Sequence, residues 1–99
     1  MSIIDRNIEK IKALCSKHKV SRLFVFGSVL TDRYNQASDI DFVVDFSDVD
    51  IYHYADNYFD LKTSLENLLN RQIDLLEEKA INNPYLRKSI DSSKKLIYG

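Results

Sequence analysis

The chain has one internal glycine, Gly27, and one proline, Pro84; Gly99 is terminal. With so few residues that break regular structure, each marks a point where the backbone must do something particular. Gly27 ends the apolar run Leu23-Phe24-Val25-Phe26, which reads as a short buried strand. Ser28 follows, and one helical turn is expected over Val29 to Arg33. A strand running into Gly-Ser and then a helical turn has the geometry of a phosphate-binding turn. Glycine lets a ligand approach the backbone, exposed N–H groups attract an anion, and the Ser28 hydroxyl adds a donor.

The second informative segment is Ser38-Asp39-Ile40-Asp41, which opens an expected strand over Ile40 to Phe46. Residues two apart in a strand point to one face with Cα atoms about 6.5–7 Å apart, so Asp39 and Asp41 project together. Two adjacent carboxylates repel unless a cation lies between them. An oxygen-only acidic pocket suits Mg2+, which shares its coordination with substrate phosphates. The flanking Ile40, Phe42, Val43 and Val44 mark an interior strand, where uncompensated charge is costly. Asp74 interrupts a third apolar strand, Gln72 to Leu76. If that strand lies beside Ile40 to Phe46, three carboxylates surround one site for one or two metal ions. Asp74 is then placed to help deprotonate an incoming hydroxyl.

Around these strands, Ile4, Ile8, Ile11, Leu14 and Cys15 recur at helical spacing from a cap at Ser2 to about His18. Tyr34 to Ser38 reads as a polar loop. Ser47 or Asp48 caps a long helix with the stripe Ile51, Tyr54, Tyr58, Leu61, Leu65 and Leu68, closed by Asn70-Arg71. Asn83-Pro84 caps a last helix, with Leu86, Ile90, Leu96 and Ile97 on its apolar face, extending to Tyr98. The order α-β-turn-β-α-β-α predicts an α/β (α+β) fold: a small mixed β-sheet with helices packed mainly on one face. At 99 residues the chain makes one domain, 1–99.

Composition removes other classes. Fourteen basic against fifteen acidic residues give a net charge of −1, which argues against direct capture of a nucleic-acid backbone. The acids are eleven Asp and four Glu, and Asp is the better cap, turn residue and metal ligand. The lone Cys15 excludes an internal disulfide or thiolate cluster and reads as a small buried apolar residue. No apolar run approaches a membrane span, and residues 1–12 lack the apolar core of a signal peptide, so a reducing cytoplasmic setting is expected.

Gly27-Ser28, ten residues, then Asp39-Ile40-Asp41 resembles the Gly-Ser-x10-Asp-x-Asp signature of the polymerase-β-like nucleotidyltransferase superfamily. Within it the chain looks most like the minimal nucleotidyltransferases (MNT), whose members have about this length. The resemblance covers nearly the whole chain. It implies a mixed α/β sheet, Gly27 and Ser28 holding the phosphates of ATP, and Asp39 and Asp41 binding Mg2+ with Asp74 completing the site. Relatives place an arginine and another glycine soon after the Gly-Ser; here Val29-Leu30-Thr31-Asp32-Arg33 stands instead, and Arg33 is the substitute phosphate contact. The mechanism implied is substitution at the α-phosphorus of the nucleotide.

The resemblance also implies a partner. Minimal nucleotidyltransferases commonly pair with a small helical HEPN-domain toxin, a ribonuclease, and several transfer AMP to a tyrosine on it. The expected function is therefore an antitoxin that adenylylates its toxin within a hetero-oligomer. Two alternatives remain at this point: an antitoxin that masks its partner by binding alone, and a nucleotide-sensing regulatory module. Tyr52, Tyr54 and Tyr58 read mainly as core and boundary residues, with a partner-binding face as the sharper alternative. His18 and His53 read as surface residues. Arg87, Lys88, Lys94 and Lys95 read as a basic, solvated face of the last helix.

Overall fold

The computed structural model describes residues 2–27 and 39–99. The expected turn over Val29 to Arg33 and loop over Tyr34 to Ser38 lie outside the described residues, and with them Ser28 and Arg33.

The leading helix is broken into α1 (Ser2–Arg6) and α2 (Ile8–Lys17). Ser2 belongs to α1 instead of preceding it. Asn7 makes the break: its side-chain amide donates to the Ile3 carbonyl at 2.8 Å, the local competition with backbone bonding that disfavours Asn inside helices. Strand β1 (Val20–Phe26) begins three residues earlier than expected, because Ser21 and Arg22 are exposed and hide the pattern. Strand β2 (Ile40–Phe46) falls where the sequence placed it. Helix α3 (Ile51–Leu69) is capped by Asp50, whose carboxylate accepts from the Tyr52 N–H at 2.9 Å, not by Ser47 or Asp48. Asn70 closes α3 in the left-handed region at φ 54°. Strand β3 (Ile73–Glu77) and a 3-10 turn (Glu78–Ala80) follow. Asn83 caps α4 (Pro84–Ser93), accepting from Tyr85 and Leu86, with Pro84 in the first turn.

The last helix does not reach Tyr98. It stops at Ser93, and Lys95–Tyr98 form β4, antiparallel to β1. The Ser92 and Ser93 hydroxyls both donate to the Ser89 carbonyl at 2.9 Å, and Lys94 is already extended. The chain then covers an edge of β1 that would otherwise present unpaired backbone groups.

The sheet order is β3-β2-β1-β4, with β2 parallel to β3 and the other pairs antiparallel. A parallel pair needs a crossover, and α3 supplies it. Helices α1, α2 and α3 cover one face, built on Leu23, Val25, Ile40, Phe42, Val44, Leu61 and Leu65. Helix α4 alone covers the other, where Ile90 meets Phe24 and Val43. The mainly one-sided packing is as expected; full burial of each such side chain contributes roughly 1.5–3 kcal/mol.

Three surface expectations are revised by this packing. His18 is buried at 2% exposure between α2 and α3, its ring nitrogens 2.7 Å from the Leu14 carbonyl and 2.6 Å from an Asp60 carboxylate oxygen. Ile51, assigned to the buried stripe, is 83% exposed, and Leu69 takes a buried place instead. Of the basic residues read as a solvated face of the last helix, Lys88 and Lys95 are exposed as read, but Arg87 and Lys94 are committed. Arg87 donates to the Glu78 carboxylate at 2.5 Å and to the Glu78 and Ile81 carbonyls, and Lys94 stands 2.9 Å from Asp91 and 4.3 Å from the Phe24 ring centroid. Cys15 and His53 are buried and exposed, respectively, as read.

Candidate active site

Strands β2 and β3 carry the same short pattern, Ile40-Asp41-Phe42 and Ile73-Asp74-Leu75. The register follows from it. Ile40 stands beside Ile73 and Phe42 beside Leu75 on the three-helix face, so Asp41 stands beside Asp74 on the α4 face. A slip of β3 by one residue would turn Asp74 into the core and Ile73 and Leu75 out of it, which is why this register is strongly specified. Neighbouring strands lie about 4.8 Å apart, so the two carboxylates share one patch of the sheet. Asp39, two residues before Asp41 and just ahead of β2, continues on the same side by strand alternation.

From the other direction, β1 pairs antiparallel with β2 and sets Phe26 opposite Asp41. Gly27 then passes directly over the acid. Its φ is +83°, and a Cβ added there would come within 2.5 Å of Asp41 Oδ2. Two independent constraints thus demand glycine: the left-handed backbone and the carboxylate pressed against it. The Asp41 carboxyl is pushed above its ordinary value, first by burial, then by the negative charges of Asp74 and Asp39. The three acids therefore share an electrostatic field, and Asp41, half-buried, bears the cost.

Among the described residues no three His, Cys, Asp or Glu side chains stand close enough to form a ready-made metal cluster. The donor set nevertheless fits a hard divalent cation: carboxylate oxygens only, one of them partly desolvated and held against a glycine. A cleft of about 410 Å3 lies elsewhere, at the C-terminal ends of β2 and β3, where Asp45, Asp48, Tyr54, Glu77 and Lys79 line it. Its lining begins at Val44, three residues along the strand from Asp41, on the order of 10 Å. Burial and like charge converge on the carboxyl of Asp41, which centres the candidate site on the acids and not on this cleft.

Of the residues singled out from the sequence, the structure brings together Gly27, Asp41 and Asp74, with Asp39 adjoining. The shared apolar-acid-apolar triplet was the signal for the register. Phe26, read from the sequence as the strand end before Gly27, shares the face of Asp41 and packs toward α4.

Residues 9–99 match the family described as polymerase beta, nucleotidyltransferase. A protein of Methanocaldococcus jannaschii named "Putative protein adenylyltransferase" is 39% identical over 87 residues, 88% of this chain and 84% of the relative. Among solved structures, a "putative minimal nucleotidyltransferase" superposes with a TM-score of 0.76 at 28% identity, covering 93% of this chain and 90% of that one. A structure of a tri-AMPylated Shewanella oneidensis HEPN toxin in complex with an MNT antitoxin matches with a TM-score of 0.67, covering 96% of this chain and 71% of that one. At 22% identity that last likeness speaks for the fold alone.

Proposed function

Since this chain belongs to the polymerase β nucleotidyltransferase family, we propose that it is a Mg2+-dependent protein adenylyltransferase. It moves AMP from ATP onto a tyrosine hydroxyl of a HEPN-domain toxin and acts as that toxin's antitoxin in the cytoplasm. The observation that carries the reading is the register of β2 on β3, which sets Asp41 beside Asp74 under Gly27. The relative named as a protein adenylyltransferase supports a protein as the acceptor; the HEPN-domain toxin as that protein is carried over from the complex whose antitoxin shares this fold. No helix among the described residues is long and apolar enough to cross a membrane.

Asp39, Asp41 and Asp74 would hold the Mg2+. When bound, the ion neutralises negative charge that develops on the departing pyrophosphate. Gly27 lets the nucleotide phosphates approach the backbone, and Ser28 and Arg33 contribute a hydroxyl donor and a guanidinium to them. The acceptor oxygen bonds to the α-phosphorus as the bond to pyrophosphate breaks, and a carboxylate oxygen of Asp74 takes the hydroxyl proton. Asp41, made hard to ionise by its neighbours, is the acid whose charge state gains most from a cation.

Intact-mass spectrometry of the co-expressed HEPN-domain partner tests the reading. A nucleotide-sized increment is expected with the wild-type chain and none with an Asp39→Asn, Asp41→Asn variant. Neutralisation of the toxin that survives unchanged in that variant would overturn the enzymatic reading and favour masking by binding alone.

A further inference from the structure

Helix α3 carries a second apolar stripe that the fold leaves uncovered. Ile51, Tyr52 and Phe59 are 83%, 88% and 59% exposed. At 100° per residue Ile51, Ala55, Phe59 and Tyr52 fall within about 100° of one another, a stripe that adjoins the buried one of Leu61, Leu65 and Leu69 and is centred roughly 90° from it. Large apolar residues exposed singly are unremarkable, but a contiguous stripe rimmed by polar groups marks an interaction site. Here the rim is acidic. Residues 45–60 contain Asp45, Asp48, Asp50, Asp56 and Asp60 and no Lys or Arg, in a chain whose net charge is only −1. Asp45 is ion-paired to Arg22, Asp50 caps the helix and Asp60 bonds to His18. Asp48, Asp56 and the exposed side of Asp60 therefore make the N-terminal part of the stripe acidic, while the half-buried Lys62 stands on the same line, about one turn beyond Phe59.

The position of the stripe relates it to the acids. The Tyr58 hydroxyl donates to the Leu75 carbonyl of β3, the Ile73 N–H donates to Glu66, and the Phe59 ring packs edge-on against the Tyr58 ring at 5.0 Å. The stripe thus borders β3, the edge strand that carries Asp74. A protein seated on it lies alongside that strand, with one sheet edge between it and Asp74.

We propose that this outer face of α3 is the docking surface for the protein acceptor, and that it receives an apolar or aromatic knob ringed by Lys or Arg. The charge rim selects a basic partner and sets the encounter rate, while Tyr52 and Phe59 supply the desolvated centre. The identity of the occupant as an acceptor rests on the adenylyltransferase reading above; the docking itself does not.

The test is a Tyr52→Ser, Asp56→Lys variant, since both side chains are exposed and neither belongs to the acid site. Calorimetry against the purified HEPN-domain partner should show affinity weakened about tenfold or more, and wild-type binding that weakens with added salt. In transfer assays the KM for the protein acceptor rises by a similar factor while kcat stays within about twofold, and the thermal midpoint is unchanged. Unaltered affinity in the variant overturns the docking surface and leaves the transfer reading standing. Wild-type binding that the variant loses, with no transfer by either, overturns the transfer reading and supports the surface. No binding by the wild type overturns the surface and the partner assignment together.

Discussion

Asp41 is held in a position that the fold alone would not choose. Its carboxylate lies under Gly27 and between two other acids, and burial together with those charges raises its pKa. A raised folded-state value means that the ionised form is disfavoured on folding. The penalty is absent below the ordinary carboxylate range, grows as pH rises through that range, and is complete once pH passes the folded-state value. Asp41→Asn should therefore stabilise the protein at neutral pH by a few tenths to about 1 kcal/mol, raising the thermal midpoint by roughly one to eight degrees at about 4–8 °C per kcal/mol. The gain should fade as the pH is lowered, while transfer activity is lost. A midpoint that falls, or a gain that grows in acid, contradicts the like-charge account. Gly27→Ala should behave oppositely. It forces a side chain into the left-handed region and against Asp41 Oδ2, costing on the order of 1–2 kcal/mol, measurable by urea unfolding. His18 shows the limit of residue-level reading: nothing in its neighbours along the chain announces that α3 will bring Asp60 to its ring.

Elements whose signals are long were legible, and short ones were not. The stripe of α3, the apolar run of β2 and the Asn83-Pro84 cap all sit where their patterns put them. The four residues of β4 cannot be told from a helix end by pattern alone. In a helix Leu96 and Ile97 share one broad face; in the observed strand they lie on opposite faces, Ile97 in the core and Leu96 half exposed. Ile97→Ala should therefore cost about 2–3 kcal/mol and Leu96→Ala no more than about 0.5 kcal/mol; equal losses in chemical denaturation would contradict the strand. The cap of α3 offers a similar contrast. Removing the Asp50 carboxylate that accepts from Tyr52 N–H should cost about 1 kcal/mol. Ser47→Ala and Asp48→Ala should leave unfolding midpoints nearly unchanged, although the sequence points to those two as the caps.

At the scale of the molecule, two surfaces stand apart: the acid cluster on the α4 face of the sheet and the acidic, aromatic stripe on the outer side of α3. If they serve chemistry and docking respectively, the Asp39→Asn, Asp41→Asn variant should bind the HEPN-domain partner with wild-type affinity yet transfer no label from ATP. A parallel loss of binding in calorimetry would merge the two surfaces into one. The sequence by itself determined the mixed α/β class, the positions of two strands and the long helix, and the candidates Gly27, Asp39, Asp41 and Asp74. Those depend on local periodicity and on side-chain chemistry at fixed spacing, which are written along the chain. Only the tertiary structure decided that Asp41 and Asp74 are neighbours, that the last four strand residues pair with β1, that His18 is buried and that Ile51 is not. Each of these is a contact between segments far apart in sequence, fixed by which apolar faces can be buried together, and no single segment carries that information.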